Sequence, residues 1–122
     1  MPFTFTYANQ ILNDSLVENP AYMSLHSGSP TLANELVGLS YRRQLIEFGV
    51  PNGYTLSTNT VSFGPLAANS TGVMYVAIWD SMSEGTCMYQ EQIATEITAI
   101  PINTGDTIDW GVGEITINVF GV

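Results

Sequence analysis

The 122-residue chain is strongly acidic and almost without cations, which limits the partners that it can bind. Its net charge is −9, from eleven Asp and Glu residues against Arg42 and Arg43, and it contains no lysine. Nucleic acids and anionic membranes bind proteins through clusters of basic side chains, so we expect neither as a partner.

The size and hydrophobicity of the chain are those of one folded domain. Hydrophobic residues make up 45% of the sequence, whereas only 11% of residues are charged. Residues 1–7 lack the basic start and continuous apolar stretch of a signal peptide. No apolar run approaches the roughly 18 residues of a membrane helix. We therefore expect a protein that is made in a cytoplasm and stays soluble.

The N-terminal segment predicts an extended arm followed by a short helix. In Pro2–Tyr7 the aromatic residues Phe3, Phe5 and Tyr7 alternate with threonine, so an extended chain would place all three on one side. Residues Ala8–Val17 have apolar side chains at helical spacing, which predicts a helix or turn there. An aromatic arm at a chain end either pairs into its own sheet or reaches onto a neighbouring subunit.

Three strands are predicted in the first half of the β region, at Ala21–His26, Tyr41–Val50 and Tyr54–Phe63. A polar loop over residues 27–38 separates the first two. The reversal at Pro51-Asn52-Gly53 is typical of a type I′ hairpin turn, because Asn and Gly tolerate the positive φ values of that turn.

Strands in the second half are separated by turns rich in Gly and Asn. The first of them is apolar on both faces, which predicts a strand covered on both sides. The last alternates cleanly between apolar and polar residues. The predicted strands are Val73–Trp79, Thr86–Ile93, Glu96–Ile102, Thr107–Trp110 and Glu114–Phe120.

Together these segments predict an all-β fold, an antiparallel β-sandwich of about eight strands that is jelly-roll-like or immunoglobulin-like. Residues 1–20 would form the arm and short helix, and residues 21–122 the sandwich. Native proteins often protect exposed sheet edges with lysine, which this chain lacks. We therefore expect its edges to be short, covered by a loop, or buried against another subunit.

The sequence offers little for catalysis. His26 is the only histidine and Cys87 the only cysteine, which excludes a histidine-based triad and a thiolate zinc site. We expect His26 to bond a neighbouring hydroxyl and Cys87 to serve as a small hydrophobic residue. We predict no enzyme activity, no catalytic residue and no cofactor.

The acidic residues leave two alternatives open. A glycosidase needs two carboxylates that face each other across a cleft, and eleven scattered acids do not indicate such a pair. Calcium is the other alternative, because acids in turns supply oxygen ligands. The pairs Asp80 with Glu84 and Asp106 with Asp109 are the candidates, although acids in turns usually bond their own backbone.

The two arginines are adjacent in a predicted strand, so their side chains point to opposite faces. We expect one of them to pair with Glu35 or Glu47 and the other to face a partner, the alternative being that both lie in solvent. Aromatic residues are more often used for packing and interfaces than for stacking on sugars. The predicted interface residues are Phe3, Phe5, Tyr7, Arg42, Arg43, Tyr75 and Trp79.

Several segments resemble a family of small virion proteins of tailed bacteriophages. In that family a Y-x-x-L-H-[ST]-G-x-P strand and turn leads through an N-E loop to a Y-x-R-Q strand, and an I-W-D strand and a G-D-T turn follow. The matching segments here are Tyr22–Pro30, Asn34-Glu35, Tyr41–Gln44, Val73–Asp80 and Asn103–Thr107, the last with a slightly different turn.

The resemblance implies a structural protein of the virion, made in the host cytoplasm. Members of the family are described as head-decoration, minor tail or tail-fibre proteins. We expect a capsid decoration (cement) protein on the capsid surface, a homotrimer that contacts the major capsid protein through Pro2–Tyr7 and residues 27–38. The alternative is a tail or receptor-binding component, followed by a carbohydrate-binding module.

Overall fold

The computed structural model describes residues 4–28, 34–38, 40–68, 71–95, 98–99 and 101–118. In these residues one α-helix and a π-helical segment precede eight strands, all paired antiparallel. The predicted all-β class with a short N-terminal helix is thereby confirmed. The elements are α1 Phe5–Leu12, the π-helical segment Asn13–Val17, β1 Ala21–His26, β2 Gln44–Ile46, β3 Tyr54–Leu56, β4 Val61–Phe63, β5 Tyr75–Trp79, β6 Cys87–Gln92, β7 Ile108–Trp110 and β8 Thr116–Asn118.

The helix begins three residues earlier than predicted. Thr4 is its N-cap and accepts a hydrogen bond from the backbone amide of Tyr7 at 3.2 Å. Ala8 and Leu12, four residues apart, are both fully buried on one side of the helix. The extended arm predicted for Pro2–Tyr7 is therefore wrong over residues 5–7, because the cap and this burial outweigh the alternating pattern. Phe3 lies outside the described residues.

The main sheet has four strands in the order β2-β1-β5-β6. Ser24 of β1 stands opposite Ala77 of β5, and Ala77 stands opposite Gln90 of β6. Strand β5 is therefore internal to the sheet, and its residues Ala77, Ile78 and Trp79 are buried although they alternate between the two faces. This confirms the strand covered on both sides that the apolar run predicted.

The other four strands form two ribbons, β3 with β8 and β4 with β7. The predicted strand Tyr54–Phe63 is thus divided between two sheets. The predicted strand Tyr41–Val50 is shorter, with β2 followed only by a bridge from Phe48 to Ser57. The polar segment between β3 and β4 causes the division, because its Asn59 side chain bonds the backbone where a strand partner would otherwise do so.

Two smaller predictions are corrected. Gly53 has a φ of +79°, but Asn52 is not among the described residues with positive φ, so the turn is not type I′. The Gly53 amide instead donates to the Asn9 side chain at 2.6 Å, which joins the turn to α1. The strand predicted at Glu96–Ile102 is wrong at Thr98 and Ala99, whose amides both bond the Thr95 carbonyl in a turn; its residues 96, 97 and 100 lie outside the description.

The core combines side chains from α1, the main sheet and the β4–β7 ribbon. Its largest fully buried member is Phe63, whose ring is stacked on Tyr41 and meets Trp110 edge-on. Ile115 and Ile117 of the last strand are half-buried against this core, as the alternation predicted, and Val119 lies outside the described residues. No helix in the described ranges is long and apolar enough to cross a membrane.

We predict that Phe63→Ala lowers the free energy of unfolding by about 3–5 kcal/mol, because it removes a fully buried ring from between two aromatic neighbours. Urea unfolding followed by tryptophan fluorescence measures the change. Val50→Ala is the matched control, since Val50 is 88% exposed and its truncation should change stability by less than about 0.5 kcal/mol. Equal losses in the two variants would contradict the core assigned here.

Candidate interaction surface

The two adjacent arginines precede β2 and have opposite environments. Arg42 is exposed, whereas Arg43 is only 2% exposed. This is the alternation expected of an extended chain. One of the two cations of the whole protein is therefore inside the fold, where an unpaired charge would be very unfavourable.

The Arg43 guanidinium is bonded on every side. Its Nε and Nη2 donate to the carboxylate of Glu35, with the Nη2 contact to Oε1 at 2.9 Å. Its Nη1 donates to the backbone carbonyls of Ser81 at 2.9 Å and Glu84 at 2.8 Å. Its Cζ lies 4.1 Å from the centroid of the Trp79 ring, within the range of a cation–π contact. This geometry confirms Glu35 as the predicted partner.

Tyr41 connects the carboxylate to the main sheet. Its hydroxyl donates to Glu35 Oε2 at 2.6 Å and accepts from the backbone amide of Leu25 at 3.1 Å. Burial and the adjacent carboxylate raise the pKa of Tyr41 above its ordinary value, because both disfavour the phenolate. The fold thus favours the neutral phenol, which is the form that donates to Glu35.

Trp79 connects the guanidinium to the only histidine. Its Nε1 donates to Ser24 Oγ at 2.6 Å, and the same hydroxyl lies 2.6 Å from Nε2 of His26. The rings of His26 and Trp79 are stacked with their centroids 6.2 Å apart. His26 therefore bonds a neighbouring hydroxyl, as predicted, and it is fully buried.

The loop between β5 and β6 is the surface feature that these buried groups support. Arg43 bonds two of its carbonyls from inside, and Asp80 Oδ1 accepts from the Thr86 amide at 2.8 Å across its base. Gly85 has a φ of +76°, and a Cβ there would come within 2.5 Å of Asp80 Oδ1, so this position requires glycine. Met82 at the tip is 45% exposed. The loop is thus bonded from inside and closed at its base, and it exposes one apolar side chain.

The predicted interface residues separate into two groups. Phe5 and Tyr7 are about half exposed on α1, Arg42 is exposed, and Tyr75 is half-buried. Arg43 and Trp79 are enclosed by the chain itself, so they act on the surface only by supporting the loop. Sequence reasoning placed a turn at Asp80–Gly85, with Asp80 and Glu84 as candidate calcium ligands, but did not identify it as an interaction surface.

Two acids from the candidate calcium pairs close their own turns. Asp80 bonds the Thr86 amide and Asp106 bonds the Asn103 amide, each closing its own turn. Within the described ranges no three residues of the His, Cys, Asp and Glu types lie close enough together to hold a metal ion. Asp80 and Asp106 therefore stabilise the backbone of their own turns.

A groove of about 410 Å³ lies between β6 and β8. Met23, Val76 and Ile78 supply apolar side chains to its lining, and Glu91 is its only carboxylate. The Tyr89 hydroxyl, at one wall, lies 3.1 Å from Ser15 Oγ. A single carboxylate does not provide the acid pair of a glycosidase, so the groove has the chemistry of a packing surface.

One comparison with known proteins found a match. A family model described as "Podophage GP4 fiber I protein gp80" matches residues 4–118, almost the whole chain. No curated protein matches the chain.

We predict that Arg43→Met lowers the free energy of unfolding by about 3–5 kcal/mol, because it leaves the Glu35 carboxylate buried without its cation. The neighbouring Arg42→Met removes the same charge from an exposed position and should change stability by less than about 0.5 kcal/mol. Urea unfolding of both variants measures the difference. Similar values for the two would contradict a structural role for Arg43.

The raised pKa of Tyr41 predicts a loss of stability at high pH. Folding favours the neutral phenol of Tyr41. Its contribution to the free energy of unfolding is therefore complete below the ordinary tyrosine pKa of about 10 and is lost as the pH rises above that value. Urea unfolding between pH 8 and about pH 11 should show this fall for the unmodified protein and a smaller fall for Tyr41→Phe. Parallel pH profiles would show that Tyr41 does not carry the effect.

Proposed function

The chain belongs to the family of the podophage fiber I protein gp80 and is a structural protein of a phage virion, and we propose that it is a subunit of the tail fibre apparatus. The proposal rests on the family description, which names a fibre protein, and on the use that the fold makes of its signature residues. In this role the protein binds other virion proteins and performs no chemistry.

One observation of the structure supports a binding role in particular. The residues that carry the family resemblance, among them His26, Glu35, Tyr41, Arg43 and Trp79, are bonded to one another beneath the surface. Buried polar networks of this kind define one conformation more than they add stability. The conformation defined here is that of the exposed β5–β6 loop, and a loop held rigid before binding loses less entropy when it binds.

The composition of the surface fits attachment to proteins. With few charged residues, contacts depend mainly on neutral polar groups and on exposed apolar side chains, and they are little affected by salt. The large apolar side chains that are most exposed among the described residues are Val50 at 88%, Val37 at 78% and Val112 at 65%. A nucleic acid or an anionic lipid surface would require cations, and only Arg42 is an exposed one.

A capsid decoration protein is the second candidate, and the shape of the domain favours it. The described strands are three to six residues long and fold back on one another, without the repeated shaft of an elongated fibre. In that role the chain would bind the major capsid protein on the capsid surface as a homotrimer. The trimer and this partner stay predictions from the sequence.

Location and abundance in purified particles distinguish the two roles. We predict that antibody against the chain labels the tail in electron micrographs, and that its copy number by mass spectrometry is many-fold below that of the major capsid protein. Labelling spread over the head, with a copy number close to that of the capsid protein, would contradict the fibre proposal and favour decoration. The tail-tube protein and the major capsid protein in the same sample serve as internal standards.

A further inference from the structure

The two edge strands of the main sheet, β2 and β6, differ in whether other parts of the chain bond their outer backbone groups. At the β2 edge the Asn59 side chain donates to the Leu45 carbonyl at 2.9 Å and accepts from the Glu47 amide at 2.8 Å. These bonds occupy backbone groups that an added strand would need. The β2 edge is therefore closed by the chain itself, which is one of the ways in which proteins prevent unwanted strand pairing.

At the β6 edge, no further strand among the described residues pairs with β6. The Ile93 amide donates to the Met74 carbonyl of the β5 side at 2.8 Å. Residues that alternate along a strand direct their backbone groups to opposite sides. The amides and carbonyls of Gln90 and Gln92 therefore point away from β5, and no described residue bonds them. The strand contains neither lysine nor proline to protect it.

We propose that this edge pairs with the β6 edge of a second copy of the chain, antiparallel and centred on Gln90. The two-fold axis would place Gln90 opposite its own copy, where the two residues exchange backbone hydrogen bonds. The inference goes beyond the proposed function, because it holds for either location in the particle. Two-fold pairing assembles subunits in pairs, in contrast to the trimer expected from the sequence.

The single charged residue of β6 disfavours an alternative register that is centred on it. Glu91 is the only charged residue of the strand, and a pairing centred on it would place two carboxylates directly opposite each other, which is unfavourable. Centring on Gln90 places Glu91 opposite Tyr89 of the second copy. Tyr89 is neutral and amphipathic, so this register avoids the repulsion between the two Glu91 carboxylates. The bulge at the Cys87 end leaves Tyr89–Gln92 as the regular part of the edge.

Exposed side chains beside the edge are consistent with this pairing. Ile93 follows β6 and is 47% exposed. In the register centred on Gln90 it would lie just beyond the regular part of the edge, beside the bulged end of β6 of the second copy. The pairing would therefore cover an apolar residue at each end of the joined strands.

Disulfide trapping tests the register. In a Cys87→Ser background, Gln90→Cys places two thiols in a directly opposed pair about 5.5 Å apart between Cα atoms, within the range that a disulfide spans. Glu91→Cys is the matched control, because its two copies would be offset along the strands and separated by more than about 7 Å. After mild oxidation we expect a covalent dimer of the first variant and monomer of the second on a non-reducing gel. Equal cross-linking of both variants, or none of either, would overturn the proposal.

Sedimentation equilibrium tests the interface without cysteine. Gln90→Lys places two like charges opposite each other at the axis, so the dimer dissociation constant should rise by about tenfold or more. Thr58→Lys adds the same charge at an exposed position away from β6 and should leave the constant unchanged. A monomeric unmodified protein, or a dimer that Gln90→Lys does not weaken, would contradict the inference.

Discussion

The contact between Arg43 and Glu35 is the interaction on which the arrangement of the surface depends. The guanidinium bonds Glu35, 8 residues earlier in the chain, and two carbonyls of the β5–β6 loop, 38 and 41 residues later. Tyr41 and Trp79 extend the same network to both central strands of the main sheet. Removing the cation would leave a buried carboxylate and two carbonyls without their donor.

The network also shows what several signature residues do in the fold. Burying an ion pair costs desolvation energy that the attraction between the charges only roughly offsets. Such a pair is therefore better suited to defining a conformation than to increasing stability. Here Glu35, Tyr41, Arg43 and Trp79 direct polar atoms at one another, at Ser24 or at the backbone, and Arg43 and Trp79 are buried. The signature residues of this network thus support the fold and the β5–β6 loop from inside.

How far the sequence predicts the structure depends on the range of the interaction involved. The doubly apolar β5, the hydroxyl partner of His26 and the pairing of an arginine with Glu35 followed from local patterns, and the structure confirms them. The arm predicted at Pro2–Tyr7 is wrong over residues 5–7, because alternation over six residues cannot reveal that a helix packs its buried side on the core. The sequence also could not predict that Arg43 donates to the Ser81 and Glu84 carbonyls, since every residue has a backbone carbonyl and no residue type marks the ones that accept.

Native-state hydrogen exchange at the Leu25 amide tests the structural role of the network most directly. That amide donates to the Tyr41 hydroxyl, which in turn donates to Glu35. If the network opens only when the whole domain unfolds, Leu25 exchanges as slowly as the most protected amides of β5, and its exchange responds to urea with the slope of global unfolding. Fast, urea-independent exchange at Leu25 while the β5 amides stay protected would show that the network opens locally and does not hold the fold together.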